Sequence, residues 1–312
     1  MRIGITGGAG FIGSNLAEYL IKAGYSVSIL DNLETGFLAN LEGLDVKFVN
    51  ANLKNSSEVD DFFKKERIDY CVHLAALGSV PRSIDNPRAS LESNTVATLN
   101  VLEAVKKSSI PIIFSSSSSV YGKNNKLPKM ERDWLSPLSP YAASKLAAEA
   151  MTLAFRESYG VPTLIYRLFN VYGPKQNPNS LYAAVIPKWT LAAFNREPLI
   201  VFGDGEQKRD FTYVGDVTRL FLNSIVACHD QDYPINLAFG QPVTLNHIIN
   251  IFRTYFGDIK VEYREARKGD IKNSESNPES LMGLHRDQLV TTNLEVGLFE
   301  YFAWFKKYLF SN

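Results

Sequence analysis

Tyr141 and Lys145, in SPYAASK (139–145), stand four residues apart, so a helix through them puts both side chains on one face. A tyrosine near its free pKa of about 10 is a poor base at neutral pH. A lysine ammonium one turn away stabilises the phenolate and lowers that pKa, which lets the phenol take a proton from an alcohol. The run FSSSSSVYG (114–122) closes a predicted strand and offers Ser117 as a hydroxyl to hold the reacting oxygen. Where a hydride leaves the same carbon as that proton is taken, the alcohol is oxidised and an acceptor must bind nearby. RIGITGGAGFIGSN supplies its signature: Gly7, Gly8, Gly10 and Gly13 lie between a strand and a helix. Glycines there permit a tight turn and let backbone N–H groups approach a pyrophosphate at the positive end of a helix. Asp31 ends the next strand about 20 residues on, where a carboxylate accepts from a ribose 2′-hydroxyl. The same carboxylate repels a 2′-phosphate, so NAD is expected over NADP.

The elements that must position these residues are legible as alternating runs. RIGIT (2–6), SVSIL (26–30), VKFVN (46–50), DYCVHL (69–74), IPIIFS (110–115) and TLIYRL (163–168) are short, apolar and rich in β-branched residues. Helical patterns separate them at Phe11–Ala23, Ser56–Lys65, Ala89–Lys107 and Tyr141–Tyr159. Strands alternating with helices give a parallel sheet with right-handed crossovers, and near-continuous apolar strands are those covered on both faces. The expected fold is α/β: a Rossmann-type doubly wound parallel sheet with a smaller α/β C-terminal lobe. Residues 1–165 are expected to form the NAD-binding domain, with the chain returning to it at about 211–238. Residues 166–312 are expected to build mainly the substrate lobe. Turn-rich GPKQNPNS (173–180), the loop GDGEQKRDF (203–211) and the polar stretch 264–280 break that half up, ahead of a final helix ending at Phe310.

Composition narrows the partners. The 312 residues are 45% hydrophobic and 21% charged, with 33 basic and 33 acidic side chains. This is an ordinary globular balance, with no footprint for nucleic acid or an anionic membrane. No apolar run reaches spanning length and no export signal is evident, so a cytoplasmic protein is expected. Of two cysteines, Cys71 lies in an apolar run and reads as a buried free thiol. Four histidines without ligand-like spacing give no metal site, and His73 is expected to end a buried strand.

Together these motifs resemble the extended short-chain dehydrogenases/reductases, specifically the NAD-dependent nucleotide-sugar epimerases and dehydratases. TGGAGFIGSNL, LDN, HLAA, SSSSSVYG, YAASK, RLFNVYGP, GDG…RDFTYV and RKGD follow that family's order along essentially the whole chain. The resemblance implies Ser117 as catalytic hydroxyl, Tyr141 as base and Lys145 as its partner, the last two also touching the cofactor. It implies NAD contacts from Gly7, Gly10, Phe11, Ile12 and Gly13 in the loop, and from Asp31 and Asn32 after the second strand. Leu74, Ala75 and Ala76 follow the fourth strand, and Asn52 and Leu53 the third. Asn52 departs from the Asp usual there, so altered adenine contacts are expected. Asn170, Arg209 and Arg267 are implied to meet the diphosphate or uridine and Asp270 a ribose, with Ala184 and Val185 also at the substrate. Lys188 and Arg82 stay open between structural and substrate roles.

Relatives differ after the catalytic hydroxyl. Dehydratases resemble Thr-Asp-Glu there, and decarboxylases usually keep a Glu; Ser117-Ser118-Ser119 has no carboxylate to eliminate water. A 4-epimerase needs none, because hydride leaves C4 and returns to the other face. HLAALGSVPRSI (73–84) and NPNSLYAAVIPKW (177–189) look like the subgroup acting on UDP-GlcNAc and UDP-GalNAc. Gly78 and Ser79 stand where narrower members carry larger side chains, and Ser274 where a Tyr closes a glucose-restricted pocket. Small residues would leave room for an N-acetyl group. UDP-glucose and UDP-galactose are expected as further substrates. Two alternatives remain: a 4-epimerase of another UDP-sugar, such as UDP-glucuronate or UDP-xylose, and a non-catalytic NAD-binding sensor. Ser117, Tyr141 and Lys145 all being present weighs against the sensor. The resemblance also implies a homodimer through Ala89–Lys107 and Tyr141–Tyr159.

Overall fold

The computed structural model describes residues 1–179, 183–266 and 272–311. The chain begins β1 (Arg2–Thr6), α1 (Phe11–Lys22), β2 (Ser26–Asp31), β3 (Val46–Asn50), α2 (Ser56–Glu66) and β4 (Tyr70–His73). It continues α3 (Val80–Asp85), α4 (Pro87–Leu91), α5 (Ala97–Ser108), β5 (Ile112–Ser117), α6 (Pro140–Tyr159) and β6 (Thr163–Leu168). These strands and Ile235–Leu237 form one seven-stranded sheet, ordered Ile235–Leu237, β6, β5, β4, β1, β2, β3. All five pairings among β1–β6 are parallel. The order reverses between β1 and β4, and the crevice at the carboxyl ends of such a pair is where doubly wound sheets bind dinucleotides.

Helix limits follow from local chemistry. In α6 the Ser139 hydroxyl accepts the Ala142 N–H at 3.1 Å, Pro140 sits in the first turn and Gly160 stops the helix with φ 67°. α2 starts on an Asn55 cap and ends on left-handed Arg67. The segment expected as one helix over 89–107 is interrupted: a π-helical turn, Glu92–Val96, lies between α4 and α5. The extra residue swings Asn94 inward, where its Oδ1 accepts the Leu77 N–H (2.8 Å) and its Nδ2 donates to Ser144 Oγ (2.9 Å) on α6.

The chain divides into two compact units. The first comprises Met1–Asn125, Glu131–Leu168 and Thr218–Asn236; the second comprises Lys126–Met130, Phe169–Val217 and Leu237–Asn312. The first buries Leu30, Phe62, Val101, Leu102 and Ile112 on one side of its sheet, and Phe114, Ala148 and Ile165 beneath α6. The second has its own aromatic core, including Trp189, Phe252, Phe302 and Phe305. Among the described residues no helix is long and apolar enough to cross a membrane.

Candidate active site

β1 hands the chain to Gly7 at φ 72°, a conformation costly for any residue with a side chain. A Cβ there would lie 2.7 Å from the Ala75 Cα and N; one on Gly13 would lie 2.3 Å from the Gly7 carbonyl oxygen. The loop thus packs backbone on backbone against 74–76, where Leu74 N–H donates to Thr6 O at 3.1 Å. α1 begins at Phe11 on Gly10, and no side chain caps it, so the first turn at Phe11, Ile12 and Gly13 presents a bare positive helix end.

Asp31 is buried, and its two oxygens accept N–H groups from Ala9 (3.0 Å) and Leu33 (2.8 Å). Burial raises its pKa, against the lowering effect of those two bonds. Each oxygen keeps a second lone pair for a ribose hydroxyl. Asn32 is exposed and its Oδ1 accepts the Glu34 N–H. Asn52 Oδ1 accepts the Lys54 N–H at 3.0 Å, and its amide NH₂ adds donors. An acidic residue there could offer only acceptors, so the Asn changes the donor pattern. Neighbouring Leu53 is buried, and its carbonyl accepts from Asn100 Nδ2. These residues fit NAD: a cradle that side chains would fill, an uncapped helix end and a buried carboxylate lie on adjacent strands.

At the end of β5, Ser117 Oγ accepts both the N–H (3.2 Å) and the hydroxyl (2.9 Å) of Ser119. Tyr141 lies across from it on α6. Burial raises the Tyr141 pKa, and a hydrogen bond with Ser117 opposes the rise. The depression expected from Lys145 is therefore not what the protein's own groups produce. Lys145 is itself buried, with Nζ 4.8 Å from the centre of the Phe114 ring. Desolvation pushes its pKa down to about 7, with Glu149 pulling upward.

The remaining expectations fall as follows. Gly78 has open space where a Cβ would sit. Ser79, expected to line the sugar pocket, caps α3 by accepting the Arg82 N–H at 3.2 Å, where the chain turns into a short helix. In the second unit a cavity of about 240 Å³ is lined by Asn170, Ala184, Val185, Arg209, Phe202 and Trp189, among others. Whole ligand sites run about 300–1,000 Å³, so this cavity is smaller than a complete site for a ligand of that kind. Arg209 Nη1 donates to the carbonyls of Lys208 (2.8 Å) and Lys272 (3.0 Å). Ser274 N–H donates to Lys208 O, and the residue is outside the cavity wall. Arg267 and Asp270 lie outside the described residues.

Sequence reasoning missed a buried polar cluster behind α6. Glu149 pairs with Arg167 at 2.6 Å, and Arg167 also donates to Tyr121 Oη at 2.9 Å. A lone Arg inside the apolar strand TLIYRL, and a Glu four residues past Lys145, were the available signals.

A dinucleotide cradle and a Ser–Tyr–Lys constellation on one doubly wound sheet define an enzyme of the short-chain dehydrogenase/reductase type. The chain belongs to the NAD-dependent epimerase/dehydratase family, whose profile it matches over residues 3–238. It is similar to a UDP-N-acetylglucosamine 4-epimerase from Methanobrevibacter ruminantium M1, solved in complex with UDP-N-acetylmuramic acid. That structure is 37% identical with a TM-score of 0.92, and the match covers 98% of both chains. A UDP-glucose 4-epimerase from Thermotoga maritima, solved with UDP-glucose, is 33% identical with a TM-score of 0.91, over 99% of this chain and all of that one. A UDP-glucuronate 4-epimerase of Thermodesulfobacterium geofontis is 34% identical over 86% of this chain and 85% of its own. NAD is the family's cofactor.

Proposed function

We propose that this UDP-sugar 4-epimerase interconverts UDP-GlcNAc and UDP-GalNAc, and also accepts UDP-glucose and UDP-galactose. One observation carries the 4-epimerase chemistry: Ser117, Tyr141 and Lys145 stand together and, among the described residues, no free carboxylate joins them. Ser118 and Ser119 follow the catalytic serine, and Glu149 is held by Arg167 and Ser116. Among the described residues the constellation therefore offers no carboxylate for losing water, whereas proton removal from the C4 hydroxyl needs only the tyrosine. NAD, when bound, supplies the acceptance and return of hydride; Gly7 through Gly13, Asp31, Asn32, Asn52, Leu53 and Leu74–Ala76 would hold it. Ser117 orients the C4 oxygen, and Tyr141 takes its proton and returns it. Asn170, Ala184, Val185 and Arg209 would receive the UDP end.

Support for the N-acetyl sugar comes from the open space at Gly78 and the small residue at Ser274. The 37% identity to a UDP-N-acetylglucosamine 4-epimerase points the same way. The test is kcat/KM for UDP-GalNAc against UDP-galactose and UDP-glucuronate. A strong preference for either non-acetylated sugar would overturn the assignment; the identity to a UDP-glucuronate 4-epimerase makes that sugar the leading alternative. A homodimer is proposed through the α4–α5 and α6 faces, on which Leu91 (50%) and Val96 (41%) are exposed. Light scattering showing a monomer at micromolar concentration would contradict it.

A further inference from the structure

Glu149 sits one helical turn beyond Lys145 on α6, and both are buried. Its carboxylate is fully engaged. Oε1 accepts from Arg167 Nη2 at 2.6 Å, and Oε2 accepts from Arg167 Nε at 3.1 Å and from Ser116 Oγ at 2.6 Å. Arg167 lies on β6, and Ser116 immediately precedes the catalytic Ser117 on β5. Arg167 continues through Nη1 to Tyr121 Oη (2.9 Å) and Glu131 O (3.0 Å). Tyr121 Oη donates to Asn236 Oδ1 at 2.7 Å, and the Asn236 N–H donates to Glu131. One acidic side chain therefore ties the helix carrying Tyr141 and Lys145 to both strands beneath it.

A fully buried ion pair is a costly way to join a helix to a sheet, since apolar side chains of like volume do it as well or better. Its position explains the choice of charge. Around the Lys145 ammonium lie Tyr141 and Glu149 on its own helix, His73 on β4 and the Phe114 ring on β5. Arg167 on β6 reaches it through Glu149. His73 is neutral at working pH, its pKa pushed down to about 3 by burial and by Lys145. Tyr141 is a phenol until it reacts. Glu149 is the one anion of that set, and it opposes the desolvation acting on Lys145.

We propose that Glu149 is a positioning residue for the Tyr141–Lys145 pair: gripped by Arg167 and Ser116, it fixes α6 on the sheet and supplies the negative charge that keeps the Lys145 ammonium protonated. This rests on Tyr141 and Lys145 being the active pair. Arg167 anchors the carboxylate, and Ser116 couples it to the strand end bearing Ser117.

Two variants test it. Glu149→Gln keeps the shape and removes the charge. Glu149→Leu with Arg167→Met removes both charges and fills the space. In both, the alkaline limb of kcat is expected to move to lower pH by about one unit or more, while KM for the UDP-sugar changes little. NMR titration of the Lys145 side chain should show the same shift without turnover. A mere fastener predicts otherwise: the double variant would regain the wild-type melting temperature, kcat and pH limb together, and that result overturns the proposal. If the double variant does not fold, the single one decides; a pH limb and a Lys145 titration unchanged from wild type also overturn it. Failure of the active-site reading would look different, since the wild-type enzyme itself would show no Tyr141-dependent turnover.

Discussion

Replacing Gly13 with Ala should cost the enzyme its cofactor. A Cβ at Gly13 would lie 2.3 Å from the Gly7 carbonyl oxygen and 2.7 Å from the Gly8 Cα. Both neighbours are backbone, and Gly7 is itself pinned against Ala75, so no side chain can rotate away. The loop or α1 must shift by roughly an ångström, and overpacking of this kind costs about 1–3 kcal/mol. If that strain falls on the loop conformation that receives the pyrophosphate, NAD affinity drops roughly 5- to 150-fold, at about 1.4 kcal/mol per tenfold. Gly283→Ala is the internal control, because nothing lies within 4 Å of the Cβ it would carry. Calorimetric titration of NAD into both variants, with thermal melts alongside, measures the difference. Should Gly13→Ala bind NAD within twofold of wild type and melt at the same temperature, the backbone-on-backbone account of the cradle is wrong.

Tyr141→Phe should lower kcat by roughly 10²–10⁴-fold, the usual share of general acid–base catalysis, with UDP-sugar affinity little changed by titration. Ser119→Ala removes a hydroxyl donor to Ser117 Oγ, so kcat should fall several-fold while NAD binding stays intact. His73 is buried neutral between Thr6 and Thr98, and its folded pKa of about 3 lies below its unfolded value of about 6.5. The unfolded chain therefore binds the extra proton first, and stability is lost as pH falls below 6.5. The loss is about 1.4 kcal/mol per pH unit between 6.5 and 3. Denaturant melts at pH 6.5 and 4.5 should show a gap that shrinks in His73→Gln. An unchanged gap would assign the acid sensitivity to other groups.

The strands, the Gly loop and α6 were legible because their determinants are local: apolar runs bounded by turns, a Ser–Pro cap and a terminal Gly. The placement of Ser117 at a strand end and of Tyr141 and Lys145 on one helix was legible as spacing on those elements. What stayed hidden depends on pairings distant in sequence. Asn94 bridges Leu77 and Ser144 only because a π turn intervenes, and nothing in the ESN tripeptide announces that turn. The cap that Ser79 places on α3 was not read, although a Ser followed by Val-Pro is a pattern that opens a helix. The state of Lys145 could not be read from an i,i+4 rule either. Its proton depends on burial and on Glu149, whose partner Arg167 arrives from β6.

Incubation of the purified enzyme with UDP-GlcNAc, followed by NMR of the products, tests the assignment as a whole. The expected result is an equilibrium mixture of UDP-GlcNAc and UDP-GalNAc, with no net NADH released and the reaction abolished in Tyr141→Phe. A stable 4-keto-6-deoxy sugar, stoichiometric NADH, or turnover confined to UDP-glucuronate would contradict it.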